Sequence, residues 1–228
     1  MIYFIIVISI VFFGICLNII SNKTVINYYE KARKVDSKIN KSSHELIIFF
    51  IISLNLNIKV GKFSTYLDNS YSIKQKIIFL SDTVFDSTSV GDITIAMHEL
   101  GHAMQHKSKS KLFYLYLTLS ILNKISSVLI LPGIIFLIVS LFLETTFLKI
   151  AAIILLVFYI INLLSRITII PLEKDASNRA LKLLKDYQIF DSNELKIAKK
   201  LLNFACFTYV GGIFKGYKKI FNKILKGF

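Results

Sequence analysis

Cysteine is nearly absent from this sequence: there are two in 228 residues, Cys16 and Cys206, each inside an apolar run. So distant a pair excludes a disulfide framework, and each thiol reads as a small buried hydrophobe. The bulky Ile15 before Cys16 excludes the small-residue signature of a lipoprotein signal. No Lys or Arg precedes the first apolar run and no A-x-A-like site follows it, so it does not read as a cleaved signal peptide. Acidic residues are scarce too, 14 Asp and Glu against 28 Lys and Arg, which leaves a formal charge of +14. Such an excess suits either nucleic acid or an anionic membrane face. Trp is missing, and no stretch interleaves basic residues with aromatics as RNA binding requires, so no nucleic-acid partner is expected.

What the chain has in quantity is apolar residues, 54% of the total, with a mean hydropathy of +0.62. Residues 1–20 carry no charged side chain. At ~1.5 Å per residue a helix of that length crosses the ~30 Å hydrocarbon layer. Residues 125–143, with Pro132-Gly133 inside, and 150–170, interrupted by Arg166, predict two more spans paired as a helical hairpin. Residues 201–214 form a shorter apolar stretch, and the basic tail beyond alternates Lys with Ile, Leu and Phe as an amphipathic helix would. Basic residues follow the first span (Lys23, Lys31, Arg33, Lys34, Lys38, Lys41) and the third (Arg179, Lys182, Lys185), which the positive-inside rule assigns to the cytosol.

The expectation is therefore a mainly α-helical integral membrane protein, multi-pass in the cell membrane, with the lipid bilayer as a partner. Its regions are a transmembrane anchor at 1–20, a cytosol-facing region at 21–124, a transmembrane hairpin at 125–170, and a helix with the basic tail at 171–228.

Two His-Glu pairs occur. In "SSHELIIFF" the place for a second histidine is taken by Ile48, and Ser42 with Glu45 three residues on reads as a capping box. "NIKVGKF" and "YSIKQKIIFLSD" are short and β-branched, predicting a small β element with Lys74–Leu80 as its better strand. A long helix then enters through Ser87–Ser89 or Asp92.

That helix carries "MHELGHAMQHK", with three of the four histidines. His98 and His102 stand at i and i+4, one turn apart on one face, where both imidazoles can reach a zinc ion at ~2.0–2.1 Å. Glu99 is one residue round, placed to take a proton from a water beside the ion rather than to ligate it. The flanks Ile93, Ile95, Ala96, Met97 and Leu100 are apolar. Two imidazoles and a carboxylate are expensive to bury in such a setting without a metal.

A third protein ligand is needed. His106 repeats the spacing but drifts ~40° round an ideal helix at each step and lies two turns from His98. A role behind the ligands or on the helix surface suits it better. Glu173 is the better candidate: in "PLEKDASNRALKLL" Pro171 ends the third span and starts a helix, as suits proline in a first turn, with Ala176 and Ser177 small enough for close packing. On spacing alone it reads equally well as an acid at a solvated helix start.

Four blocks carry a resemblance: "LSDTVFDSTSVGDITIAMHELGHAMQH", an apolar hairpin, "PLEKDASNRAL" and "AKKLLNFACFTYVGG". In this order, from about Tyr71 to Gly212, the chain resembles the YugP-type membrane zinc metallopeptidases of bacteria. The resemblance implies a zincin-like HExxH helix, one Zn2+ per chain, His98, His102 and Glu173 as ligands, Glu99 as base, and a protein or peptide substrate. Ser177 stands where the more distant HtpX-type proteases have an Asp, so a supporting carboxylate is missing there. Asp175 is a substitute for it, and Arg179 a candidate for the oxyanion or for lipid phosphate. An enzyme of this kind holds its substrate as an extended strand beside a sheet edge, for which Lys74–Leu80 is the candidate. The competing reading is a non-catalytic, metal-stabilised membrane scaffold that binds protein partners or anionic lipid.

Overall fold

The computed structural model describes residues 19–64, 69–122, 124–125 and 145–212. These are mostly helical, with one small sheet: α1 (19–33), α2 (Ser43–Ser53), β1 (Lys59–Phe63), β2 (Ser70–Ser72), β3 (Ile77–Ser81), α3 (Asp82–Phe85), α4 (Val90–Lys107), α5 (111–122), α6 (Thr145–Asp186) and α7 (Ser192–Gly212). The described residues up to Ser110 form one compact unit with those from Glu173 onward, and those within Lys111–Leu172 form another.

Among the described residues no helix is long and apolar enough to cross a membrane. The multi-pass membrane architecture, the cell-membrane localisation and the cytosolic orientation expected from hydropathy are corrected accordingly. Apolar composition makes a span only where a helix of ~20 predominantly apolar residues carries it. Nearly all of the first two expected spans, 1–18 and 126–143, lies outside the described residues, as do Cys16 and the basic tail. The third, 150–170, falls within α6, which runs for 42 residues and continues through Pro171. Pro171 is thus interior to a helix, not at a first turn, and it removes the backbone donor that would reach one turn back.

The capping box forms as expected. Ser42 Oγ accepts from Glu45 N–H at 3.2 Å, and Ser42 N–H donates to the Glu45 carboxylate at 2.7 Å. At α4, Ser89 is the cap, accepting from the Asp92 N–H at 3.1 Å. His106 and Lys107 in its last turn suit the negative helix end.

α4 is the axis of the first unit. Ile93, Ala96, Met97, Leu100 and Ala103 recur at helical spacing and are buried against Leu46, Ile47 and Phe50 of α2, Ile78 and Leu80 of β3, and Leu184 and Ala198. Each large aliphatic side chain so buried contributes about 1.5–3 kcal/mol, so this stripe fixes how α4 is rotated. The polar residues of "HELGH" then face the remaining side.

The sheet has the order β1-β3-β2, β1 parallel and β2 antiparallel to β3. Lys74–Lys76 belongs to the turn before β3, with Lys76 at a φ of 55°. β3 is therefore the central strand, paired on both sides, and is not the free edge expected of Lys74–Leu80.

Asp92 ties α1 to α4. It is almost fully buried and accepts from Tyr29 Oη (2.5 Å), Ser87 Oγ (2.6 Å), Ser89 Oγ (2.9 Å) and Arg33 Nε (3.2 Å). Cys206 is partly buried in α7, and burial pushes its thiol pKa up.

Candidate metal centre

Glycine in "HELGH" decides what can lie beside the two histidines. A Cβ at Gly101 would stand 2.3 Å from the backbone oxygen of Ala176 and 2.9 Å from its carbonyl carbon. Only a residue without a side chain lets α6 approach α4 so closely. That contact delivers Glu173, one turn before Ala176, onto the face that carries His98 and His102.

The three candidate ligands meet. Glu173 Oε2 lies 3.0 Å from His98 Nε2 and 3.6 Å from His102 Nε2, and one donor atom from each residue falls within 4.8 Å of the other two. The imidazoles stand edge to face, centroids 4.8 Å apart. Tetrahedral zinc bonds of ~2.0–2.1 Å put donor atoms about 3.3 Å apart, and the separations of 3.0 and 3.6 Å straddle that value. Two imidazole nitrogens and a carboxylate oxygen are a donor set that zinc accepts. The residues present fit the ion.

Without a metal the three groups pair among themselves. Burial alone would pull the His102 imidazole down, but the hydrogen bond and charge of Glu173 outweigh it and raise its pKa from 6.5 to about 9. For Glu173 burial alone would push upward, yet hydrogen bonds to His102 and His98 prevail and take it from 4.5 to about 2.

Glu99 is not in the ligand group. Desolvation pushes its carboxyl pKa up, the nearby His98 and His102 pull it back, and the backbone amide of Tyr71 on β2 donates to it. A carboxylate in that position is a base whose proton affinity is raised by burial.

Behind the ligands, Ser177 Oγ meets His98 Nδ1 at 3.2 Å, where a carboxylate was noted as missing. Gln105 Oε1 meets His102 Nδ1 at 3.0 Å, and its Nε2 donates to Asp175 Oδ2 at 2.8 Å. Arg179 Nε donates to the same Asp175 oxygen at 2.8 Å, and its Nη1 to Ser108 Oγ at 3.3 Å. His106 does not join the ligand group; its Nδ1 shares a 2.7 Å hydrogen bond with the Tyr71 hydroxyl.

Gln105, Gly101 and Tyr71 are not among the site residues read from sequence, and Ser177 is there only as the residue in place of a carboxylate. Gln105 had a signal, since it lies at i+3 from His102 and so on the same face. Tyr71 had none, because its approach depends on the sheet.

The family model described as "putative neutral zinc metallopeptidase" matches residues 3–225. That is nearly the whole chain, and the protein belongs to this family, in agreement with the resemblance carried by its four sequence blocks. No curated protein and no solved structure matches the chain.

Proposed function

We propose that this protein is a zinc-dependent endopeptidase that binds one ion per chain through His98, His102 and Glu173 and uses Glu99 as general base. The observation that supports it most is the separation of roles on one helix. Three donor atoms converge, while the neighbouring Glu99 stays out of the group in a desolvated position. A purely structural zinc site normally closes with four protein ligands and has no use for such a carboxylate.

Zinc in this setting supplies Lewis acidity, polarising a carbonyl and making water a nucleophile near neutral pH. Glu99 accepts the proton of the attacking water and returns it to the departing amine. The Tyr71 amide holds the carboxylate in place for both transfers. The substrate is a protein or peptide presented in extended form. Among the described residues β2 is the edge of the sheet that packs on α4, and it is the strand beside which such a substrate would lie.

The test is zinc content and cleavage of fluorogenic peptides by wild type, Glu99→Gln and Glu173→Ala. Glu99→Gln should keep its zinc and lose about 10²–10⁴-fold in rate, the usual worth of a general base. Glu173→Ala should lose both zinc and activity. A Glu99→Gln protein as active as wild type would sink the proposal in favour of a non-catalytic scaffold.

A further inference from the structure

An imidazole can present either ring nitrogen to a metal, and which one is free is decided by the partner of the other. For His98 the partner is Ser177 Oγ, a hydroxyl able to donate or accept, so it does not select a tautomer by itself. For His102 the partner is a primary amide with two distinct ends, and Asp175 fixes which end faces the ring.

A chain of hydrogen bonds runs inward from Arg179 to His102. Arg179 Nε donates to Asp175 Oδ2, so that oxygen is an acceptor, and the Gln105 atom 2.8 Å from it is the NH2 group. The other end of the Gln105 amide, its carbonyl, is then the atom 3.0 Å from His102 Nδ1. A carbonyl only accepts, so Nδ1 carries hydrogen and the lone pair of the neutral ring sits on Nε2, the nitrogen that faces Glu173. Gln105 is fully buried, 0% exposed, and its amide has been placed at the cost of desolvating it.

We propose that Gln105, oriented by Asp175 and Arg179, is a positioning residue that locks His102 in the Nδ1–H tautomer and so presents Nε2 to the metal. This rests on the metal-site reading above and adds to it the residue that keeps hydrogen on Nδ1, so that the proton the ion displaces is the one on Nε2. Asp175 thereby acts two hydrogen bonds removed from the ligand, and Arg179 three, both through Gln105.

The experiment uses the full chain loaded with ¹¹³Cd and labelled with ¹⁵N-histidine, together with zinc affinities of variants. In wild type the ¹¹³Cd coupling should fall on His102 Nε2, with a slowly exchanging proton on Nδ1. Coupling to Nδ1 overturns the proposal in the unaltered protein. Gln105→Met fills similar space but offers no acceptor, and should weaken zinc binding roughly 10–100-fold, the usual effect of losing a partner behind a ligand. Asp175→Asn frees the amide to turn over and should weaken it by a smaller factor, with faster exchange at Nδ1. A folded Gln105→Met variant that binds zinc as tightly as wild type means that Gln105 only fills space, and overturns the inference alone. A wild type that takes up neither zinc nor cadmium removes the metal-site reading, and this inference with it.

Discussion

Gly101 and Ala176 touch backbone to backbone: the position a Cβ would take at residue 101 is 2.3 Å from the Ala176 carbonyl oxygen. Alanine for glycine inside a helix normally gains up to about 1 kcal/mol. Here the obstructing atom is main chain and cannot swing aside, so over-packing at about 1–3 kcal/mol prevails. Gly101→Ala should lower stability in denaturant titrations and, by pushing Glu173 away from the imidazoles, weaken zinc binding. A variant that is more stable and binds zinc normally would show that the helices have room to spare.

The metal-free protein should be most stable in a definite pH window. The raised His102 pKa adds stability that is complete below 6.5 and lost as pH climbs through about 9. The lowered Glu173 pKa adds stability that is complete above 4.5 and lost as pH drops through about 2. Both shifts describe one contact, whose contribution is complete between pH 4.5 and 6.5; the raised Glu99 carboxyl takes stability away as pH climbs above 4.5, so in chelator the thermal midpoint should decline toward pH 9. Zinc must displace the extra proton of His102, so its addition near pH 7 should release protons and remove the alkaline decline. Calorimetry with and without zinc reads both effects; a chelated midpoint that rises from pH 7 to 9 contradicts them.

Tyr29→Phe should cost stability without touching the metal. The phenol donates to the buried Asp92 carboxylate at 2.5 Å, and hydrogen bonds to charged groups are worth about 1.5–3 kcal/mol. Urea titration should show a shifted midpoint, with zinc stoichiometry unchanged. A change in zinc content would mean that α1 reaches the site through α4 more directly than its contacts indicate.

What could be read from the sequence followed the range of the interactions involved. The His98–His102 pair and the Ser42–Glu45 box are set within one or two helical turns, and both stood out from residue spacing. Glu173 lies 75 residues beyond His98. Spacing left it undecided, and only the resemblance singled it out, because nothing local connects the two. Hydropathy misled for a physical reason: an apolar helix face reports only that it avoids water. Among the described residues no helix is long and apolar enough to cross a membrane, and the expected span at 150–170 is one stretch of the 42-residue α6. Pro171 looked like a helix start because a proline is cheapest in a first turn, whereas α6 carries it internally. The strand expected at Lys74–Leu80 begins at Ile77, and its central place in the sheet depends on β1 and β2, which its own sequence does not mention.

The 75 residues between His98 and Glu173 also set a clock during synthesis. Translation at ~5–20 residues per second leaves about 4–15 s in which the nascent chain holds two imidazoles and a carboxylate with no third ligand. In that interval the two imidazoles lack Glu173, whose hydrogen bond and charge hold the His102 pKa up in the folded chain. The proposed ligand set is complete only with the last quarter of the chain, and translation that stops before Glu173 leaves a product that carries the motif without it.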